Sequence, residues 1–241
     1  MTETYYEDDY IDYEEDAKRM NEPENNPAVY DEAWAYKREG IARKAPYMHK
    51  WLMILFWVMI ASSIADFLSV EEMEQLMPEV YAIASIASLI CGVIYVVVLF
   101  KLSYEEALYR KSAYYLLGSV VLSLTGLIIA MFDMENIAVL LIAMATLIGA
   151  LVVAFVGEYY EYHAHANAVR DADREMADKW EQLWKYYMRL LLGVLVCLVL
   201  ALLIPMIAGV ILIVLAIGII IVSVMKYVYV YQTAKIFQSY M

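Results

Sequence analysis

One uncharged stretch decides the fold class: residues 80–100, which read VYAIASIASLICGVIYVVVLF. These 21 residues contain no Asp, Glu, Lys or Arg. At about 1.5 Å of rise per residue, a helix of this length is roughly 31 Å long. The hydrocarbon core of a bilayer is about 30 Å thick, so the stretch predicts a transmembrane helix.

The rest of the sequence contains further stretches of this kind. Residues 112–132 and 136–157 are also uncharged, and 190–225 is long enough for two helices, with Pro205 and Gly209 to supply a turn. A shorter apolar stretch predicts a first span. We therefore predict six spans, at about 50–69, 80–101, 111–132, 136–158, 187–205 and 209–227. The predicted fold is an all-α, polytopic transmembrane six-helix bundle built as three helical hairpins.

The composition excludes two broad classes of protein. Of the 241 residues, 63% are hydrophobic and 19% are charged, whereas soluble globular domains have about 45–50% and about 25%. An ordinary cytosolic enzyme does not fit these values. The net charge of −12 also argues against a nucleic-acid partner, because no basic surface is available to neutralise phosphates.

The basic residues all fall on one side of the predicted membrane. They lie before the first span, between the second and third, between the fourth and fifth, and after the sixth: Lys18, Arg19, Lys37, Arg38, Arg43, Lys44, Lys50, Lys101, Arg110, Lys111, Arg170, Arg174, Lys179, Lys185, Arg189, Lys226 and Lys235. The opposite loops carry only acidic charges: Asp66, Glu71, Glu72, Glu74, Glu79, Asp133 and Glu135. Because Lys and Arg are retained in cytoplasmic loops, this asymmetry predicts a multi-pass cell-membrane protein with both termini in the cytoplasm.

The residues before the first span divide into two segments. Residues 1–26 contain ten acidic residues, two basic residues and four tyrosines; they cannot bury enough apolar surface to fold, so we predict a disordered acidic cytoplasmic tail. We interpret it as a solubilising tail, and the alternative is an interaction tail or a phosphorylated tyrosine cluster. Residues 27–46 predict an amphipathic helix, either on the cytoplasmic membrane surface or packed on the ends of the bundle. The transmembrane domain then covers 47–241.

One cluster of metal-ligating residue types lies at the end of the fourth span. Glu158, Glu161 and His165 fall at i, i+3 and i+7 and share a helix face, whereas His163 points elsewhere. Carboxylates and imidazoles on facing helices bind transition metals, but such sites repeat Glu-x-x-His on a second helix. No second copy occurs, so we interpret the cluster as a solvated helix end rather than a metal site.

The sequence carries no motif of a known catalytic site. It has no P-loop, Gly-x-Ser-x-Gly, His-Glu-x-x-His or Cys-x-x-Cys. Cys91 and Cys197 lie in predicted spans and are interpreted as small buried hydrophobic residues. We therefore assign no catalytic, cofactor-binding or metal-binding residue, and we expect no cofactor and no enzymatic activity.

The predicted spans contain few polar residues. They carry Ser, Thr and the two Cys, with Asp66 near the outer edge of the first span. Asp66 is interpreted either as part of an outer vestibule or as an interfacial acid that faces water. Ala84, Ser88 and Gly92 recur every four residues, a small-residue pattern that lets helices pack closely. We predict that these three residues serve packing rather than a substrate path.

The order of features along the chain resembles that of a known group of proteins. After the acidic tail come Asp31-Glu32-Ala33-Trp34, then Ile41-Ala42-Arg43-Lys44, and then six short-looped spans. In this order the chain resembles uncharacterised small six-span membrane proteins of Gram-positive bacteria. The resemblance implies no known activity. Members often carry an N-terminal Cys-rich zinc ribbon, which this sequence lacks, so metal binding by the tail is not expected.

Two functions fit these expectations. The first is a non-enzymatic structural or regulatory helix bundle that engages a protein partner through its cytoplasmic tail, or a second copy of itself. The alternative is a small-solute or ion channel or transporter, with a path lined by Ser, Thr and backbone groups. Broken helices at mid-membrane in paired halves would support the alternative.

Overall fold

The structure is a computed structural model that describes residues 27–132, 136–201 and 204–241. Over these residues it contains seven α-helices and no β-strand. The helices are α1 (Pro27–Leu68), α2 (Glu71–Leu76), α3 (Pro78–Leu102), α4 (Ala107–Phe132), α5 (Ile137–Arg170), α6 (Arg174–Ala201) and α7 (Pro205–Gln238). The predicted disordered tail, residues 1–26, lies outside the described residues.

Six of the helices, all except the short α2, are long and apolar enough to cross a membrane. In their most apolar parts only 11% to 22% of the residues are buried inside the protein. Apolar side chains on the rest of these surfaces need a lipid environment, because water would disfavour so large an exposed area. The chain is therefore a multi-pass integral membrane protein, and the prediction of an all-α helical bundle is confirmed.

Among the described residues, those up to Gly40 and those from Ile41 onward form two separate units. In the first unit, Lys37 Nζ lies 5.8 Å from the centre of the Trp34 ring. The stretch 27–46, predicted as a helix, is the first part of α1, and its place at a membrane surface stays a prediction. All contacts described below belong to the second unit.

The six long helices bring their basic ends together. Near the N-terminal side of the α1 span, the Tyr47 hydroxyl donates to the carbonyl oxygen of Lys101 at the end of α3, at 2.9 Å. His49 Nδ1 donates to the carbonyl oxygen of Ala234 near the end of α7, at 2.8 Å. α4 and α6 begin, and α5 ends, at this same end. We call it the basic end of the bundle and the opposite end the acidic end.

The packed core lies toward the basic end. The largest fully buried side chains are Trp180, Tyr109, Phe237, Met48, Leu52, Leu55, Leu99, Leu102, Leu183, His165, Glu161 and Val98. Those of α3 to α7 come from the basic-end halves of their helices, and Met48, Leu52 and Leu55 lie at and just past the middle of α1. The fully buried side chains are therefore concentrated toward the basic end of the bundle.

Besides α1, three helices extend well past the predicted spans at the basic end. α5 continues beyond 158 to Arg170, α7 continues beyond 227 to Gln238, and α6 begins at Arg174, before the predicted 187. A helix backbone satisfies its own hydrogen bonds in water as well as in lipid, so the membrane boundary does not end it. The prediction that Pro205 and Gly209 supply the turn between the last two spans is wrong, because Pro205 begins α7 and Gly209 lies inside that helix.

Candidate functional site

An ion pair is buried where α5 meets α7. Lys226 Nζ lies 3.0 Å from Glu161 Oε1, and the two side chains are 13% and 1% exposed. A buried charge is strongly unfavourable unless an opposite charge and hydrogen bonds compensate it. Lys226 also lies 5.1 Å from the centre of the Tyr162 ring, a distance typical of cation–π contact. Each charge of the pair is therefore compensated by a partner inside the bundle.

A third helix contributes to the same carboxylate oxygen. The hydroxyl of Tyr95, on α3, donates to Glu161 Oε1. Helices α3, α5 and α7 thus meet at one atom, because Lys226 of α7 bonds to that oxygen too. This convergence fixes the position of the Glu161 carboxylate.

His165 lies one helical turn beyond Glu161 and is completely buried. Its ring stacks on Trp180 of α6, with centroids 4.4 Å apart and planes 13° apart, and Trp180 Nε1 donates to Thr233 Oγ1 at 3.0 Å. His165 Nδ1 lies 2.8 Å from the Tyr109 hydroxyl of α4. Its other nitrogen, Nε2, has no hydrogen-bond partner among the described residues and lies 3.6 Å from Glu161 Oε1. The imidazole is therefore held firmly, with one nitrogen facing the ion pair.

A cavity of about 410 Å³ lies beside the ion pair. Its lining comes from all six long helices: Met59, Ser62, Ser63, Asp66, Gly92, Tyr95, Leu116, Glu158, Glu161, Tyr162, Tyr187, Ile219, Ser223, Lys226 and Tyr227. Three carboxylates, one ammonium and four tyrosines are among them. A cavity of this size is large enough for a small organic molecule. Toward the basic end, the space beyond Glu161 is filled by His165, Tyr109 and Trp180, which are completely buried.

Asp66 lines the cavity toward the acidic end. Its Oδ1 accepts a hydrogen bond from Ser88 Oγ of α3 at 2.5 Å, and its Oδ2 accepts one from Ser62 Oγ at 3.3 Å. Between Asp66 and the ion pair, Ser63 Oγ and the Tyr227 hydroxyl are hydrogen-bonded at 2.6 Å. The side chain of Asp66 is exposed, so the cavity has a carboxylate accessible at one end and a buried ion pair at the other.

The prediction of a solvated helix end is wrong for two of its four residues. Glu161 and His165 are 1% and 0% exposed because the neighbouring helices also extend to this level and enclose α5. Glu158 is half-buried in the cavity lining, and His163 Nδ1 donates to the carbonyl oxygen of Tyr159 at 2.8 Å. Within the described residues, no group of three or more His, Cys, Asp or Glu side chains is placed to hold a metal ion.

Lys226 does not lie in the C-terminal tail, where it was predicted because it ends the last uncharged stretch. It lies inside α7 and faces the cavity. A signal for this was present: Ser223, Lys226 and Tyr227 are polar and fall on one face of an otherwise apolar helix. Charged side chains on such helices face the bundle interior as a rule.

The prediction that Ala84, Ser88 and Gly92 serve close packing holds for Ala84 alone. Ala84 is buried, whereas a Cβ atom added at Gly92 would have no neighbour within 4 Å and Gly92 lines the cavity. Ser88 is hydrogen-bonded to Asp66. The missing side chain at Gly92 therefore leaves room for the cavity, instead of admitting a second helix.

The arrangement can hold a small charged molecule. It combines a half-open cavity, fixed charges of both signs and aromatic rings inside an apolar bundle. Comparison with protein-family models, with curated proteins and with solved structures finds no match to this chain.

Proposed function

We propose that this protein binds a small organic cation in the cavity and carries it across the membrane. The observation that supports the proposal most is the buried pair of Glu161 and Lys226 at the cavity wall. A buried ion pair is weak evidence for a role in stability, because well-packed apolar residues often do as well. Ionisable residues inside membrane bundles are by default a sign of substrate or ion pathways.

The charge of the lining favours a cation over an anion. Among the described residues, three carboxylates face the cavity, but Lys226 is the only ammonium in its lining and is already paired with Glu161. Glu158 and Asp66 therefore remain to attract positive charge. The rings of four tyrosines also line the cavity: Tyr95, Tyr162, Tyr187 and Tyr227. Aromatic faces attract organic cations, and quaternary ammonium groups are recognised in this way.

The extent of the cavity favours a carrier over a continuous channel. The cavity reaches exposed Asp66 in one direction and ends in the other at Glu161, where His165 and Tyr109 fill the bundle. A carrier exposes its site to one side of the membrane at a time. A cavity closed toward one end supports that mechanism.

The cavity favours the transport alternative over the structural or regulatory bundle. We further propose that the protein is not an enzyme, since the sequence has no motif of known catalytic sites. We also propose that it resides in the cell membrane with the basic end in the cytoplasm, on the strength of the one-sided basic residues. A protein partner bound by the tail stays a prediction, because residues 1–26 lie outside the described part of the chain.

Single-cysteine labelling checks the proposed orientation. In a background with Cys91 and Cys197 replaced by Ala, we expect Glu72→Cys on α2 to react with a membrane-impermeant maleimide in intact cells. Lys179→Cys on α6 should react only after the membrane is opened, because the two positions lie at opposite ends of the bundle. The reverse labelling pattern would mean that the basic end faces outward.

Binding of choline to the purified protein tests the proposed function. We expect choline to bind at least about tenfold more tightly than 3,3-dimethylbutan-1-ol, its neutral isostere, because only choline gains the electrostatic and cation–π attraction. Isothermal titration calorimetry in detergent measures both affinities. Glu158→Gln should weaken choline binding, whereas the control Glu175→Gln, at the start of α6, should leave it unchanged. Equal affinity for the two probes, or no binding of either, would contradict the proposal.

A further inference from the structure

We infer that His165 binds a proton in exchange for the cationic solute, so that this protein exchanges protons for organic cations. The inference rests on the proposed function and adds the counter-ion to it. It stands on the geometry around one oxygen atom, Glu161 Oε1, and on a buried nitrogen that has no partner in the described part of the chain.

Two nitrogens face Glu161 Oε1 from different sides. Lys226 Nζ bonds to it at 3.0 Å, and His165 Nε2 lies 3.6 Å from it, beyond hydrogen-bond distance. A proton added to the imidazole makes both ring nitrogens donors, so Nε2 carries a hydrogen whichever tautomer the neutral ring has. The positive charge of the ring then attracts the carboxylate, and Nε2–H can close the gap to a charge-assisted hydrogen bond.

Protonation of His165 changes what Lys226 can do. With the imidazolium on Glu161 Oε1, two cations share one carboxylate and repel each other in a medium of low polarity. Of the two, Lys226 has the longer and more flexible side chain, and it borders the cavity. Its ammonium then turns toward the cavity, where it repels a bound cation. By thermodynamic reciprocity, a bound cation favours loss of the proton from His165.

The surroundings of His165 support reversible protonation. Tyr109 of α4 bonds to Nδ1, and its hydroxyl can either donate or accept, so it holds the ring in both states. Glu161 of α5 and the face of Trp180 of α6 stabilise an imidazolium. Lys226 of α7 opposes it, as burial does. Tyr95 of α3 reaches the group only through Glu161.

The exchange needs no chemistry beyond proton transfer. In the tautomer whose Nδ1–H donates to the Tyr109 oxygen, Nε2 can accept a proton. A proton from the cavity reaches the Glu161 carboxylate and passes from its Oε1 to His165 Nε2, so one O–H bond breaks and one N–H bond forms. The return follows the same atoms in reverse. No oxidant or co-reactant takes part, and the solute leaves as the intact cation that entered.

NMR of the histidine rings tests this directly, because the chain has three histidines. We label the imidazole nitrogens of the full-length protein in detergent and follow them from about pH 5 to about pH 8, with and without saturating choline. His49→Gln and His163→Gln assign the signals, so that His165 is identified even if its own variant does not fold. We expect the His165 ring to titrate, with a midpoint at lower pH when choline is bound.

Choline affinity supplies the second readout. In the wild type it should fall by up to about tenfold for each pH unit between the His165 midpoints of the free and the choline-bound protein, as an exchange of one proton for one cation requires. In His165→Gln it should depend on pH much less, whereas the neighbouring control His163→Gln should behave as the wild type does. Choline binding with an unchanged His165 midpoint overturns the exchange and leaves the proposed function standing. No choline binding at any pH overturns both.

Discussion

Lys226→Met is expected to lower the free energy of unfolding by about 3–5 kcal/mol. The substitution removes the cation that lies 3.0 Å from Glu161 Oε1. The Glu161 side chain, which is only 1% exposed, then has no ammonium partner. Reversible unfolding in mixed micelles with increasing denaturing detergent measures the change. The double variant Glu161→Gln/Lys226→Met should recover most of the loss, since it leaves no unpaired buried charge.

An exposed ion pair in the same protein provides the matched control. Lys179 Nζ lies 2.6 Å from Glu175 Oε1 on α6, with side chains 43% and 80% exposed. Water solvates both charges there, so Lys179→Met should cause no measurable change. Two results would show that the pair is not buried as described. One is that Lys226→Met lowers the free energy of unfolding no more than Lys179→Met does. The other is that the double variant loses as much free energy of unfolding as Glu161→Gln and Lys226→Met lose together.

The six spans could be predicted because the bilayer sets a length that can be counted. A run of uncharged residues such as 80–100 has one physical explanation in a chain this apolar, and α3 (Pro78–Leu102) contains it entirely. The limits of α5 and α7 could not be predicted from the same count. Their helices continue into water, where hydropathy no longer distinguishes helix from loop.

The candidate site was harder to predict because one sequence pattern fits two environments. Glu158, Glu161 and His165 share a helix face whether that face meets water or other helices. The choice depends on which helices extend beside α5, and that is a property of the tertiary structure. Lys226 was missed for a related reason, since a lysine at the end of an apolar stretch commonly marks the membrane boundary.

Gly92→Trp is expected to reduce transport to the level of empty vesicles. A side chain at this position meets no atom within 4 Å of its Cβ, so the fold should tolerate it. The indole would occupy much of the cavity of about 410 Å³ and exclude a solute from Glu158 and the tyrosines. Gly149→Trp is the matched control, because Gly149 on α5 is equally free of neighbours and does not line the cavity.

Counterflow of choline tests directly whether the cavity is a transport site. Liposomes that contain the purified protein are preloaded with unlabelled choline, and the uptake of radiolabelled choline is measured. A carrier accumulates the label transiently, and it does so without any imposed pH gradient. We predict accumulation well above empty vesicles for the wild type and for Gly149→Trp, and none for Gly92→Trp. Equal signals from wild-type and empty vesicles, or undiminished counterflow by a folded Gly92→Trp protein, would contradict the assignment of this cavity as a transport site.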